Sequence, residues 1–500
     1  IMILIGLGLL GDTGVQGSFQ VSGAGHGQVQ GMGSMCIAHE SGRSAWWLGG
    51  LLLVLLSFAQ YCQAAEDEAH ECSFGSHLLG DPGGWRSWLC RRGISLEAQT
   101  DDELWNNVQG GRHNKTTYDG TLTVTLGLDT EKLFGLKGGL LNVSWMNIRG
   151  RSVTSDQMAD YNPVSGWEAY SSNRLFELWY QQSFLHDRLD VKVGQQALDS
   201  EFLISDMAAL YLNSNFGWPM APSINLYSGG PSWPLASLGV RFRYRPTERT
   251  TLMFAVTDDN PTGHAFYNDK DPSNQSVHPH GDNFSLNTGA LLISEVQHSL
   301  NLQPRQGEGL PGTYKLGGMY DTARFADQRW DKQGMRLADP GSSGDAATHR
   351  GNWILYAVAD QTIWRAAFNS PRTLGLFGRV TKNRGDRNVV DWVVDAGVNL
   401  TAPFAGRDED AFGIGWGMGH TSHRARQADR DTRKASGEYY PVRGTEHHLE
   451  ITYRAQITPW LTIQPDIQHI WKPGGGVLKE GSQHRMHDET VLGVHSQIIF

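Results

Sequence analysis

Three arginines, Arg241, Arg243 and Arg245, occupy every second position of the segment LGVRFRYR. A guanidinium group carries five N–H donors and a permanent positive charge, so it can bind hydroxyl-rich or anionic ligands or pair with acidic side chains. The residues between the arginines, Phe242 and Tyr244, are aromatic. A β-strand would therefore present a ladder of cations on one face. Both uses of that ladder, ligand contact and ion pairing along a wall, stay open.

A second polar set has the same spacing in RLFELWYQQSF. Glu177, Trp179 and Gln181 alternate with apolar residues, and we expect Phe176 and Leu178 to share the opposite face of a strand. The carboxylate and the amide form hydrogen bonds, whereas the indole offers a flat apolar surface. This indole is either a stacking platform or a residue that packs under a loop.

Motifs for catalysis or metal binding are absent from the sequence. The chain contains no G-x-S-x-G, no H-E-x-x-H and no P-loop pattern. Histidines cluster in four segments predicted as loops or strand ends: 278–280, 420–423, 446–448 and 484–487. Two histidines three apart can share a metal on a helix, but these segments are not helical in pattern. We therefore expect no catalytic residue, no metal and no cofactor.

The elements that must position these residues are strands, because apolar and polar residues alternate with period two through most of the chain. Clear examples are YDGTLTVTLGLD (118–129), GIGWGMG (413–419), HLEITYRAQI (448–457) and LTIQPDIQHI (461–470). Such strands meet an apolar environment on one face and a wet one on the other. Amphipathic helices are scarce and no βαβ rhythm appears, so the sequence offers no second layer to cover the apolar faces.

The N-terminal region predicts export. Residues 1–34 are rich in glycine and are interpreted as a translated upstream extension, with a signal peptide over 35–64. The apolar segment WWLGGLLLVLLSFA is too short to span a bilayer but fits the central region of a signal peptide. Cys62 and Ala64 fit the cleavage pattern of small residues, which predicts a mature chain that starts near Ala65.

Two cysteines, Cys72 and Cys90, remain after that cleavage. An exported chain enters an oxidising compartment, so we expect these two residues to form a disulfide. The alternative is a pair of free buried thiols. Neither interpretation gives them a catalytic role.

Exported strands without a covering layer predict an all-β fold, a transmembrane antiparallel β-barrel. In hydrocarbon every backbone group must be paired, and a closed barrel achieves this. The 436 residues of 65–500 suit about 16 strands, with 18 also compatible. We expect a short N-terminal periplasmic segment over 65–92, a barrel over 93–500, and outer loops at 263–284 and 419–444. The net charge of −10 is dispersed, which argues against a nucleic-acid partner.

Seven segments, in order, resemble the carbohydrate-selective porin (OprB) family of Gram-negative outer membranes. They are LLGDPGGWRSWLCRRGI (78–94), LGLDTEKLFGLKGG (126–139), YKLGGMYDT (314–322), ADQTIWR (359–365), LFGRV (376–380), FAGRDEDAFGIG (404–415) and YRAQITPWLTIQPDIQHIWKPGG (453–475). The resemblance runs from about residue 78 to the C-terminus. It departs from the family pattern at Pro82, where the family usually has tryptophan.

The resemblance implies passive diffusion of glucose and related monosaccharides through a water-filled pore in the outer membrane. In that family, charged and aromatic side chains at a constriction contact the sugar by weak, multi-site binding. The first predicted strand adds two inward candidates to the polar sets above. The candidate pore-lining, sugar-contacting residues are therefore Arg241, Arg243, Arg245, Glu177, Trp179, Gln181, Glu97 and Asp101.

Further partners follow from a barrel of this kind. The apolar faces should contact outer-membrane lipid, and the aromatic Phe500 at the end of the last strand is the feature that barrel assembly machinery recognises. Association into a homotrimer stays open. So do two other functions, because fold does not fix function: a barrel enzyme of the lipase or deacylase type, and a closed structural or export barrel.

Overall fold

The computed structural model describes residues 72–262, 279–282, 286, 288–301 and 309–500. The expected upstream extension and signal peptide lie outside these residues, as do 65–71 of the N-terminal segment. Of the loop expected at 263–284, only 279–282 is described. In the described ranges, no helix is both long and apolar enough to cross a bilayer.

Within the described part of the chain, sixteen antiparallel strands close into one barrel, which confirms the predicted fold. Each strand pairs with its neighbours in sequence, and the first strand pairs with the last. The strands are β1 Ile94–Gln109, β2 Thr116–Asp129, β3 Gly139–Gly150, β4 Ser172–Phe184, β5 Leu189–Gln196, β6 Ser237–Thr247, β7 Thr250–Asp258, β8 Ala290–Leu300, β9 Gly312–Asp331, β10 Ala346–Arg365, β11 Thr373–Asn383, β12 Val390–Thr401, β13 Ala411–Thr421, β14 Thr445–Thr458, β15 Leu461–Trp471 and β16 Glu489–Ile499.

Short helices lie in the connections. They are α1 Trp85–Cys90, α2 Thr130–Phe134, α3 Val153–Gln157, α4 Ser214–Gly217, α5 Met220–Asn225 and α6 His423–Ser436. Single 3₁₀ turns occupy Pro82–Gly84, Ala208–Leu210, Tyr227–Gly229 and Pro473–Gly475. At one end of the barrel the connections between strands are short, and we call it the turn end. The first residue of β1 and the last residue of β16 lie there. The opposite end, with the longer connections, is called the loop end.

The two faces of the strands follow the predicted alternation. Phe242 and Tyr244 point out of the barrel and are 42% and 41% exposed, whereas Arg241 between β5 and β7 is 1% exposed. In β15, Ile467 is 40% exposed, while its neighbours Asp466 and Gln468 are buried inside. Because side chains of a strand alternate between faces, the polar residues line the interior and the apolar residues form the outer band.

One predicted orientation is wrong. A bulge in the pairing of β3 with β4 leaves Phe176 without a partner, because Glu177 pairs with Ser144 and Leu175 already pairs with Trp145. A bulge adds one residue to a strand and interrupts its alternation. Phe176 consequently lies on the inner side next to Glu177 instead of sharing the outer face with Leu178.

The segment 419–444, predicted as an outer loop, contains α6. Its N-terminus is capped by Ser422, whose Oγ accepts a hydrogen bond from Ala425 N at 3.2 Å. The helix has no apolar stripe that a pattern could detect. Instead it is held by ion pairs, with Asp429 2.9 Å from Arg443 and Asp431 2.5 Å from Arg329 in β9. Such partners are distant in sequence, so the local pattern missed this helix.

The N-terminal segment 72–93 packs on the seam between β1 and β16 at the turn end. Leu78 N donates to Ile499 O at 2.8 Å, at the last residue of β16. The buried guanidinium of Arg86 donates to the carbonyls of Phe500 at 2.8 Å and Leu96 at 3.1 Å. A disulfide joins Cys72 to Cys90, whose Cα atoms are 5.8 Å apart. The end of the last strand is thus hydrogen-bonded to the segment that precedes β1.

Replacing Cys72 and Cys90 together by serine should loosen this segment and leave the barrel folded. The bond closes a loop with a sequence separation of 18 residues, for which chain entropy predicts a loss of ~3 kcal/mol. We expect faster tryptic cleavage after the exposed Arg91 and Arg92, read by mass spectrometry, with unchanged heat-modifiable gel mobility. Non-reducing peptide mapping of the native protein is the companion measurement. Free thiols at both positions, or equal cleavage rates, would contradict the prediction.

Candidate functional site

The site is built by a long connection that folds into the barrel. β5 ends at Gln196, which pairs with Ser237, the first residue of β6, so the chain between them leaves the wall below the loop end. This third loop (197–236) runs along the inner wall past β8 to β15. It begins near the turn-end half of the wall, where Glu201 forms an ion pair with Lys192.

Arg379 in β11 is the central anchor of the third loop. Its side chain has no exposure to solvent. Nη1 donates to Leu203 O at 3.0 Å and Gly217 O at 2.9 Å, and Nη2 donates to Asn215 O. Nε donates to Asp395 on β12 at 3.0 Å, which balances the charge. One wall residue therefore fixes three points of the loop.

Wall carboxylates hold the loop from other strands by accepting its backbone N–H groups. Glu450 in β14 accepts from Leu212 N at 2.6 Å and Asn213 N at 3.0 Å. Glu295 in β8 accepts from Leu203 N at 2.9 Å. Both carboxyl groups are buried inside the barrel and pair with backbone N–H groups that would otherwise lack partners there. The third loop is therefore a fixed part of the interior.

The glycines that alternate in GIGWGMG make room for this loop. Gly413, Gly415, Gly417 and Gly419 all point inward from β13. A Cβ on Gly415 would lie 2.7 Å from Phe216 and from Tyr211 of the third loop, and one on Gly419 would lie 2.5 Å from Met220. These distances are shorter than van der Waals contact, so the absence of side chains on β13 lets the loop pack against the wall.

Replacing Gly415 by valine should displace the third loop and change the conductance of the barrel. The new side chain must push two packed aromatic rings, and overpacking of this kind costs about 1–3 kcal/mol. The matched control is Gly378→Val in β11, where a Cβ would meet no atom closer than Asp395 O at 4.0 Å. Single-channel recording should separate the two variants. Equal conductance in both, with both folded, would contradict the packing argument.

A cavity with a volume of about 830 Å³ lies in the interior of the described part of the barrel. It lies between the second loop (151–171), the third loop and the inner faces of β4 and β14–β16. Trp167 of the second loop and Trp233 of the third loop meet edge to face, with ring centroids 5.6 Å apart. Trp167 also stacks on His495 of β16, with ring centroids 5.9 Å apart and an interplanar angle of 20°.

Carboxylates in the two loops border this cavity. Glu168 accepts hydrogen bonds from Thr154 N at 2.8 Å and Ser165 N at 3.1 Å, and its burial raises its pKa to about 7. Asp199 accepts from Trp233 N at 2.7 Å, and burial raises its pKa to about 7 as well. Each carboxylate therefore orders the loop that presents one of the two tryptophans.

Glu177 is the predicted candidate that lines the cavity. Its Oε1 accepts from Ala197 N at 3.0 Å, and its Oε2 accepts from Trp179 Nε1 at 3.2 Å. Trp179 itself lies 4.4 Å from the ammonium of Lys192, and Gln181 accepts from Arg241 at 2.8 Å. Trp179 and Gln181 thus belong to the wall beside the cavity.

The arginine ladder points inward but lies outside the cavity lining. Arg241 is enclosed by carboxylates, with Nη1 paired to Asp190 and Nε 2.7 Å from Glu201. Arg243 is 28% exposed and lies 3.0 Å from the same Asp190. Arg245 is 40% exposed and donates to Asp187 O at 3.0 Å in the turn between β4 and β5. Of the two uses left open by the sequence, ion pairing along the wall describes Arg241.

The two candidates from β1 occupy different heights. Glu97 lies at the turn end, 2.8 Å from His77 and 3.6 Å from Arg86 of the N-terminal segment. Asp101 is buried higher in the wall, where it accepts from Gln497 Nε2 at 3.0 Å and lies 3.5 Å from His495. Asp101 therefore supports the wall behind the cavity, and Glu97 does not reach it.

Several residues at the cavity escaped the sequence patterns: Trp167, Glu168, Asp199, Trp233 and His495. Four of them lie in the second and third loops, where no period marks an inward position. The one sequence feature that could have indicated these positions is tryptophan within loop segments rich in Pro, Gly and Ser. His495 alternates correctly in β16, but its contact with Trp167 depends on how the second loop folds into the barrel.

Comparisons with known proteins agree with one another. A family model described as carbohydrate-selective porin, OprB family, matches residues 113–500. Porin B of Pseudomonas aeruginosa is 26% identical over 447 residues, which cover 85% of this chain and 91% of that protein. The putative porin QuiX of Acinetobacter baylyi is 23% identical over 443 residues, with 85% and 93% covered. The high-pH structure of Pseudomonas putida OprB superposes with a TM-score of 0.74 at 24% identity, covering 86% of this chain and 99% of that one.

Proposed function

The chain belongs to the carbohydrate-selective porin (OprB) family, and from this premise we propose the route by which sugars cross its barrel. The protein is an outer-membrane β-barrel porin for sugars. The route runs through the cavity between the second loop, the third loop and β14–β16. Its volume of about 830 Å³ falls in the range of 300–1,000 Å³ that is usual for small-molecule sites, and this lined space carries the proposal.

The chemistry of the lining suits a hydroxylated ring. The indoles of Trp167 and Trp233 offer apolar surface for the C–H faces of a pyranose, and aromatic rings pack well against such faces. Hydroxyl groups exchange hydrogen bonds with water for bonds to Glu177, Asp199 and the amide of Gln464. Each contact is weak and several are available in turn, so a solute gains contacts without being trapped.

The other predicted sugar-contacting residues differ in whether they meet the solute directly. Arg243 and Arg245, both partly exposed, extend the route toward the turn end, where they meet solute before or after the cavity. Arg241 and Asp101 keep their neighbours in place from behind the surface. The protein acts as a channel and not as an enzyme, since the polar groups of the cavity are arranged as a hydrogen-bonding surface.

We further propose that the turn end faces the periplasm, where the N-terminal segment and Phe500 lie together. Lipid covers the outer band of apolar side chains. The barrel assembly machinery binds the last strand before Arg86 and Leu78 form their hydrogen bonds to the end of that strand. Association of barrels into a homotrimer would be measured by native mass spectrometry of the purified protein in mild detergent.

Single-channel recording with and without glucose tests the route. Wild-type protein should conduct ions, and glucose should reduce the current by occupying the cavity. Trp167→Ala and Trp233→Ala should weaken this block while ion conductance persists. The matched control is Trp330→Ala in the loop-end part of β9, whose ring lies 4.8 Å from Arg329 and outside the cavity lining. A folded barrel that neither conducts ions nor responds to glucose would favour the closed structural barrel instead.

A further inference from the structure

We propose that the cavity discriminates among sugars by charge: it passes neutral sugars and protonated amino sugars and opposes sugars that carry a carboxylate. This inference rests on the proposed route through the cavity. It follows from which ionisable groups line that space and from which groups of the wall have their charge already balanced.

The lining is acidic. Within the described lining, the carboxylates Glu168, Glu177 and Asp199 face a single guanidinium, that of the exposed Arg454 in β14. Glu168 comes from the second loop, Asp199 from the third, and Glu177 from β4, so the carboxylates approach the cavity from three directions. A solute in the cavity is therefore close to negative charge whichever side it contacts.

His495 does not reverse this balance. Its Nδ1 lies 3.0 Å from Glu103 and its Nε2 lies 3.5 Å from Asp101, both on β1. If the imidazole carries a proton, two carboxylates already surround that charge. Trp167 stacks on the imidazole, so the histidine also supports the indole.

The strong cations of the wall beside the cavity have carboxylate partners, and Arg243 and Arg245, which share Asp190, lie outside the cavity lining. Arg241 is enclosed by Asp190 and Glu201, and Lys192 shares Glu201. Arg379 is paired with Asp395 and covered by the third loop, with no exposure of its side chain. These groups are occupied by the architecture of the wall, so they cannot compensate a negative solute in the cavity.

The protein walls around the cavity amplify this charge pattern. Clefts lined by one sign of charge change the local concentration of charged solutes by about 10–10³-fold, since low-dielectric walls focus the field. A carboxylate on a pyranose would also lose hydration while it meets acceptors instead of donors. An ammonium in place of a hydroxyl gives the opposite result, because it donates hydrogen bonds to Glu177 and Asp199.

The test compares three solutes with the same ring: glucose, glucuronate and glucosamine. Proteoliposomes with the full-length mature protein are followed by swelling. Glucuronate is compared with glucose at pH 8, where groups with a pKa of about 7 are mainly ionised, and glucosamine is compared with glucose at pH 7, where more of its amine is protonated. We expect glucuronate to enter at least about tenfold more slowly than glucose, and glucosamine to enter as fast or faster. In 1 M salt the screening length falls to about 3 Å, so the difference should shrink.

Variants assign the effect to the lining. Glu177→Gln combined with Asp199→Asn keeps the hydrogen-bond acceptors for Ala197 N and Trp233 N and removes both charges, so entry of glucuronate should rise severalfold. The control is Asp345→Asn, an exposed carboxylate of the loop end paired only at the surface with Lys332. Equal entry of glucuronate and glucose into wild-type liposomes overturns the charge inference. Failure of glucose itself to enter overturns the proposed route instead, which keeps the two outcomes distinct.

Discussion

Arg379→Met is expected to raise single-channel conductance severalfold while the barrel wall stays folded. The substitution removes the donors to three carbonyls of the third loop, those of Leu203, Asn215 and Gly217. It also leaves Asp395 buried without its counter-charge, and breaking a buried pair in this way costs about 3–5 kcal/mol. Without these three hydrogen bonds, the third loop should move away from the wall and the passage should widen.

A second variant separates the two causes. Arg379→Met with Asp395→Leu removes the stranded charge, so thermal stability should recover while conductance stays high. The control is Arg372→Met at the turn end, where the guanidinium also donates to a backbone carbonyl, Ala402 O at 2.9 Å, but touches no residue of the third loop. Heat-modifiable gel mobility reports the folding of the wall. Unchanged conductance in a folded Arg379→Met protein would show that the loop does not set the width.

Phe242→Arg should disrupt assembly of the barrel, whereas Arg243→Ala should not. Phe242 lies outside, between Val191 and Phe254 on the flanking strands, and a charge there faces lipid at a cost of ~2–4 kcal/mol near the midplane. Arg243 points inside and is 28% exposed, so water replaces its contacts when it is shortened. Its loss should alter conductance by removing one positive charge from the turn-end part of the passage.

Gel mobility and single-channel recording together read this pair of substitutions. The two residues are adjacent in β6. A general effect of substitution on the formation of this strand should therefore be the same in both variants. If Phe242→Arg assembled normally while Arg243→Ala failed to fold, the assigned faces would be reversed. If both folded and conductance did not change, Arg243 would lie away from the path of the ions.

The sequence by itself determined the elements and their faces. Alternation with period two is a property of the extended backbone, so Ile467 outside and Gln468 inside could be predicted from neighbouring residues alone. Length limited the number of strands to about 16, with 18 also compatible, because the bilayer sets how many residues one crossing needs. The inward direction of the arginine ladder followed in the same way. At Phe176 the predicted orientation was wrong because of a bulge, since one added residue interrupts the period.

Tertiary structure decided which inward side chains share a space. The ladder was a reasonable candidate from its spacing, yet Asp190 and Glu201 balance Arg241, and the cavity formed elsewhere. Its tryptophans and two of its carboxylates come from the second and third loops, whose conformation depends on contacts such as Glu450 with Leu212, 238 residues apart in sequence. Alternation is local and survives without such partners, whereas a loop takes its shape from the wall that binds it. For that reason the sequence alone could predict the barrel but not the lining of its passage.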